Sequence, residues 1–326
     1  MSRTKRTKRT NRMVRIIVTA ALMAATAIAL LSLAGCGTTT ASTPAPAPAP
    51  APAAAAFPVT ITDDASNTVT IKVEPQRIVS LAPANTEIAF ALDLGAKVVG
   101  VTTFDDYPAA VKTIAKVGDF TTPNLEAIAA AKPDLILATT GVQADVVKKL
   151  EALGATVIAI DPQNLDGVYT DIGRVGQATG TADKAAAVVD GMKSDVADVQ
   201  NAVQGLPAVT TFVEIGQNPL FTTGSGTLIN ELIKLADGTN IVTQHGYVGY
   251  STEQLIKADP QVYLATKGSS SDPSAIAKRA GFSGLSAVKN NRIVILDDNL
   301  VSRPGPRIVE GLRQIAAALH PEAFTK

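Results

Sequence analysis

The chain predicts an α/β protein: two lobes, each with a mainly parallel sheet flanked by helices, joined by a single long helix, with a ligand cleft between the lobes. Three observations lead there. Short, continuously apolar strands alternate with helical segments over two separate stretches, the pattern of parallel strands covered on both faces. One stretch without strand character, residues 181–206, stands between them. The segment NLEAIAAAKPDLILATT (124–140) is also written again as STEQLIKADPQVYLATK (251–267), matching Glu126 with Glu253, Pro133 with Pro260 and Thr139 with Thr266.

The chain opens with Arg3, Lys5, Arg6, Lys8, Arg9, Arg12 and Arg15 and no acid, followed by an apolar run over 16–34. That is the pattern of an export signal. The run is long enough to cross a bilayer, so an uncleaved anchor is the alternative. Its end, Leu33-Ala34-Gly35-Cys36, resembles the bacterial lipoprotein box, and Cys36 is the only cysteine. A lone thiol in an exported chain has no internal disulfide partner, which favours an acylation site over a redox centre. Residues 1–35 are therefore assigned as a lipoprotein signal peptide. Residues 36–56 are an Ala/Pro-rich linker, with proline at every second position from Pro44 to Pro52; such a segment favours extended polyproline conformation and builds no core. The signal removes seven of the 29 basic residues and none of the 29 acids, leaving a mature chain of net charge −7. An acidic chain argues against a nucleic-acid partner.

Residues 57–180 form the N-terminal lobe. FPVTITDDASNTVTIKV alternates apolar and polar residues about a turn and predicts a hairpin. RIVSLA, VVGVTT, DLILATT and TVIAID predict strands; TEIAFALDLG, ending on Gly95, LEAIAAAK and QADVVKKLEALG, ending on Gly154, predict helices. Residues 181–206 carry Ala186, Val189, Met192, Val196, Val199 and Val203 at helical spacing and predict the connecting helix. Residues 207–326 form the C-terminal lobe, with strands VTTFVEIG, QVYLAT and NRIVILDD and helices TLINELIKLADG, STEQLIKA, PSAIAKRAG and PRIVEGLRQIAAALH. The repeat then falls at matching places in two similar lobes related by a pseudo-twofold.

The chain has 13 aromatic residues and no tryptophan. Phe104, Tyr107, Phe120, Phe221, Tyr247 and Tyr250 fall in segments read as loops, where a two-lobed α/β protein meets its ligand. Arg303, in VSRPGPR, sits in a loop stiffened by prolines and faces either a ligand or Asp297 or Asp298. Asp105 and Asp106 either accept hydrogen bonds from a ligand or form a solvated turn. His320 closes the final helix, where a cation complements the dipole; His245 is a surface loop residue or, as a weak candidate, an axial metal ligand. Gly224-Ser225-Gly226 is a flexible turn or an anion cradle. The sequence has no P-loop, dinucleotide fingerprint, His-Glu metal motif or nucleophile elbow, so a binding protein rather than an enzyme is expected, with no catalytic residue, resident metal or catalytic cofactor.

RIVSLAPANTEIAFALDLGAKVVGVTTFDDYP resembles the substrate-binding proteins of ABC importers whose two lobes are joined by one long helix, and so do NLEAIAAAKPDLILA, GQNPLFTTGSG, STEQLIKADP and RPGPRIVEGLRQIAAALHP. APANTEIAFAL, VTTFDDYP and the RPGPR stretch look most like the cobalamin-binding branch. The resemblance implies a monomeric, lipid-anchored extracytoplasmic protein that captures cobalamin or a related corrinoid and delivers it to an ABC permease dimer with its ATPase subunits. Haem and ferric siderophores are the alternative ligands, and an envelope enzyme the alternative of another class. By the same resemblance Phe104, Phe120, Phe221 and Tyr247 match aromatic positions of the cobalamin cleft, joined by Tyr107 and Arg303, while Thr139 stands where an aromatic is expected. Glu126 and Glu253 match the family's docking glutamates, which meet arginines of the transmembrane dimer.

Overall fold

The structure is a computed structural model that describes residues 57–325; the signal peptide, the linker and Cys36 lie outside the described residues. Strands β1 (Val59–Thr62) and β2 (Thr68–Ile71) pair antiparallel as a hairpin. Then follow β3 (Ile78–Ser80), α1 (Pro83–Ala91), β4 (Val98–Gly100), α2 (Leu125–Ala130), β5 (Leu135–Ala138), α3 (Ala144–Ala152), β6 (Val157–Ala159) and α4 (Leu165–Thr179). The four strands form a wholly parallel sheet in the order β4-β3-β5-β6. Both of its faces are buried. Ile78, Leu135 and Leu137 enter one core while Val79, Ile136 and Ala138 enter another, the period-two division that a strand covered on both sides requires.

Helix α5 (Ala182–Val203) packs on α4 and on helices of the second half. Beyond it lie β7 (Val209–Gly216), β8 (Phe221–Thr223), α6 (Leu228–Leu235), β9 (Gly238–Asn240), β10 (Tyr247–Gly249), α7 (Thr252–Ala258), β11 (Val262–Thr266), α8 (Pro273–Ala277), α9 (Ser286–Lys289), β12 (Ile293–Leu296), α10 (Asp298–Val301), α11 (Ile308–Leu319) and α12 (Pro321–Phe324). This sheet is mixed: β9, β7, β11 and β12 run parallel, and β8 and β10 add antiparallel strands at one edge. Val213, Val262 and Leu264 share the core that α5 joins, whereas Phe212, Tyr263 and Ala265 face the opposite side.

The α/β class and the two helix-flanked sheets agree with the sequence reading, and several details differ. Helix α1 starts earlier, at Pro83, and stops short of Gly95, because Asp93 takes a left-handed conformation and the Leu94 N–H returns to the Ala89 carbonyl. Helix α4 was absent from the sequence reading. The repeated segment extends to the backbone: α2 leads into β5, between β3 and β6, and α7 leads into β11, between β7 and β12. Lys132 and Asp259, which precede the two matched prolines, both have positive φ, 47° and 43°.

Candidate functional site

A cavity of about 570 Å³ opens between the two halves. Its first wall is built where the strands of the parallel sheet end: Ala82, Pro83 and Asn85 after β3, Phe104 after β4, Thr139 after β5, Asp161 and Gln163 after β6. The carboxyl ends of parallel strands are where an open α/β sheet meets a ligand. The second wall comes from Tyr247 on β10, Thr227 and Leu228 at the start of α6, and the segment Ser302-Arg303-Pro304.

Hydrogen bonds preset the loops carrying the aromatics. Thr102, fully buried, gives both its N–H (2.8 Å) and its hydroxyl (2.5 Å) to Asp105 Oδ2, and its Oγ1 accepts the Phe104 N–H. This turn projects the Phe104 ring, 58% exposed, over the cavity. Phe120 is half-buried; its carbonyl accepts from the side chain of the buried Gln143, which also donates to the Leu81 carbonyl. Asp119 accepts from the N–H and hydroxyl groups of Thr121 and Thr122, and the bonds from Thr122 and then Thr121 hold its carboxyl down at about 2. Tyr247 stands opposite Thr223 in the antiparallel β8–β10 pair. Burial, and then the charge of Asp161 across the cavity, push its phenol above its ordinary range.

Arg303 lines the cavity, but its guanidinium is engaged by acids that neither local alternative supplied. Nη1 meets Glu87 Oε1 at 3.1 Å and Asp106 Oδ1 at 2.6 Å, and Nη2 donates to the Phe104 carbonyl at 3.3 Å. Glu87, buried on α1, also receives both ends of Arg307, at 2.9 and 2.6 Å. Asn299 donates to the second oxygen of Asp106 at 2.9 Å. Residues more than 190 positions apart in sequence are thus clamped together beside the cavity. Asp297 pairs instead with Lys267 at 2.9 Å, and Asp298 accepts from the Gly268 N–H. This corrects the expected Asp297 or Asp298 partner. Of the two neighbouring acids, Asp105 is buried rather than solvated, whereas Asp106 is exposed and bonded into the clamp.

The other candidates take varied places. Tyr107 lies outside the cavity lining, with the Arg307 guanidinium 3.8 Å above its ring. Phe221 and Tyr247 lie on strands rather than loops; Phe221 faces Gly249 and Tyr247 faces Thr223, so both rings leave the same side of this strand pair. Phe221 stands outside the enclosed lining and 37% exposed. Tyr250 is half-buried and packs against the core, its ring 5.4 Å from Phe212. His245 is exposed, with its ring against Gly226, away from the cavity lining. His320 is buried, and α12 rather than the chain terminus follows it. The glycine turn is no anion cradle, since the N–H groups of Gly224 and Ser225 are bonded to the carbonyls of Gly246 and Gln244. A Cβ on Gly224 would collide with the Gln244 carbonyl. Glu126 and Glu253 are exposed in the first turns of α2 and α7, behind the N-caps Asn124 and Ser251. Sequence reasoning passed over Asn85, Asp161, Gln163 and Thr227; a polar residue at the end of an apolar strand, as in TVIAID, was the available signal for Asp161.

A family model described as periplasmic binding protein matches residues 78–300. The chain belongs to the periplasmic binding protein family. An ABC transporter substrate-binding lipoprotein of Bacillus subtilis, itself uncharacterized, is 40% identical over 277 residues, covering 82% of this chain and 87% of that protein. A cobalamin-binding protein of Halobacterium salinarum is 31% identical over 277 residues, covering 81% and 74%. Among solved structures, a possible iron-binding, periplasmic solute-binding protein of Staphylococcus epidermidis superposes with a TM-score of 0.70 at 36% identity, covering 76% of this chain and all of that one.

Proposed function

We propose that this periplasmic binding protein captures a corrinoid, cobalamin or a close relative, between its two sheets and delivers it to an ABC permease as a lipoprotein anchored through Cys36. The observation that carries the reading is the make-up of the cavity: the rings of Phe104, Phe120 and Tyr247 stand among the amide, hydroxyl and carboxylate groups of Asn85, Gln163, Thr139, Thr227, Ser302 and Asp161. A corrin ring is a broad apolar plate fringed with amides, and it needs both kinds of partner. Phe221, on the same side of the β8–β10 pair as Tyr247, extends the aromatic wall beyond the enclosed part, and Arg303 stands at the rim. Haem suits the site less well. Its propionates would meet the Asp161 carboxylate, and the arginine of the lining is already paired with Glu87 and Asp106. The exposed Glu126 and Glu253 dock the loaded protein on basic groups of a twofold permease, because each carries one uncommitted charge at the same place in its half. The test is calorimetric titration with cyanocobalamin, iron protoporphyrin and a ferric siderophore. One corrinoid site per chain is expected; saturable binding of only one of the other two would replace this reading.

A further inference from the structure

Among the described residues, Arg303 is the one basic side chain that lines the cavity, and its charge is cancelled where it stands. Two guanidinium groups, Arg303 and Arg307, face two carboxylates, Glu87 and Asp106, so the clamp as a whole is neutral. Asp161 adds a carboxylate to the opposite wall that accepts the Thr140 hydroxyl and, among the described residues, pairs with no cation. The lining therefore presents hydrogen-bonding groups and a net negative charge. An anionic ligand entering it would be desolvated against Asp161 and find its only countercharge already engaged.

We propose that Glu87 and Asp106 act as a charge filter: by neutralising Arg303 they make the cavity select uncharged or cationic amide-fringed ligands and reject acidic ligands of the same shape. The filter rests on the corrinoid reading for its choice of probes but not for its physics. Both acids act through Arg303 and are positioning residues. Asp106 is the accessible half of the pair, its side chain 51% exposed, whereas Glu87 is buried beneath two arginines. Asp106→Asn removes a charge and leaves an oxygen for the Arg303 Nη1 bond, so the arginine stays in place and becomes cationic toward the cavity. A unit charge about 12 Å from the ligand's own charge, at an effective dielectric near 20, changes affinity by about tenfold, and a nearer one by more.

The test compares two ligands of nearly the same shape, cyanocobalamin and the monocarboxylate formed by hydrolysing one of its amides, by calorimetric titration at low salt. The ratio of their affinities is read in the wild type, in Asp106→Asn and in Arg303→Gln. The filter predicts that the wild type prefers the neutral corrinoid, that Asp106→Asn shifts the ratio about tenfold toward the acid, and that Arg303→Gln shifts it further toward the neutral ligand. Added salt should shrink all three differences, and Asp106→Glu should restore the wild-type ratio. If the chain binds iron protoporphyrin rather than corrinoids, the corrinoid reading fails while the same ratios, taken between protoporphyrin and its dimethyl ester, still judge the filter. Equal ratios in the wild type, Asp106→Asn and Arg303→Gln, with folding verified by circular dichroism, overturn it.

Discussion

Replacing Asp171 with asparagine should make the protein more stable at pH 8, by a margin that shrinks as pH falls to 5 and closes only near pH 4. Asp171 is fully buried on α4; Oδ1 accepts from Arg174 at 2.5 Å, and Oδ2 has no partner. Arg174 is shared with Asp64, whose other oxygen accepts the N–H of the cavity residue Asp161. Burial, reinforced by the charge and hydrogen bonding of Asp64, pushes the Asp171 carboxyl up to about 7 against the pull of Arg174. An unfolded aspartate titrates near ~3.9. Because the folded form holds this proton more tightly, the contribution to stability is complete below about pH 4 and is lost as pH rises through about 7. A shift of this size amounts to roughly 4 kcal/mol at about 1.4 kcal/mol per pH unit, and relaxation around the coupled Asp64 and Arg174 reduces it to about 2–4. Asparagine keeps an oxygen for Arg174 and never ionises, so Asp171→Asn should exceed the wild type by that amount at pH 8. Urea unfolding followed by circular dichroism at pH 5, 6, 7 and 8 measures it. Carboxylates held low, such as Asp119, act only at more acidic pH and leave this window clear. A wild-type midpoint that stays flat from pH 5 to 8, or a variant less stable than the wild type at pH 8, refutes the reasoning.

Truncating the ring of Phe104 or Tyr247 to alanine should weaken corrinoid binding at least tenfold, since a buried aromatic anchor is worth about 2 kcal/mol; calorimetry checks this, and unchanged affinity in both would remove the aromatic wall from the site. Glu87→Ala leaves Arg303 and Arg307 without their shared carboxylate and should cost about 3–5 kcal/mol, visible as a drop in urea midpoint. The clamp and α5 should also keep lobe movement small, so solution scattering should show little compaction when ligand is added. Glu126→Lys with Glu253→Lys should abolish uptake by cells while calorimetric ligand affinity is retained; normal uptake by the double variant would contradict the docking role.

What the sequence showed followed from whether a signal was local. Strands such as DLILATT and QVYLAT announce themselves because both faces are buried and residues 135–138 and 262–265 form apolar runs, and the repeat around Glu126 and Glu253 marks equivalent places in the two sheets. Helix α4 was missed because Gly167, Gly173 and Gly176 weaken its propensity, although Leu165, Val168, Ile172 and Val175 already bury one face. Gly176 is needed there, because a Cβ would collide with the Cβ of Ala185 on α5. The β8–β10 pair is hidden from sequence because strands of three residues are too short to show alternation and α6 and β9 separate them in the chain, which places Phe221 and Tyr247 on strands where loops are expected. The partners of Arg303 were illegible for a different reason. Asp297 is close in sequence but held by Lys267, while Glu87 and Asp106 arrive from the far end of the chain through tertiary packing alone.

The most direct measurement is a crystal structure of the protein grown with cyanocobalamin. The account predicts one corrinoid between the two sheets, its ring edge between Phe104 and Phe120 on one side and Tyr247 on the other, its amides on Asn85, Gln163 or Asp161, and Arg303 still bonded to Glu87. A corrinoid bound elsewhere, or a cavity empty at saturating ligand, would contradict it.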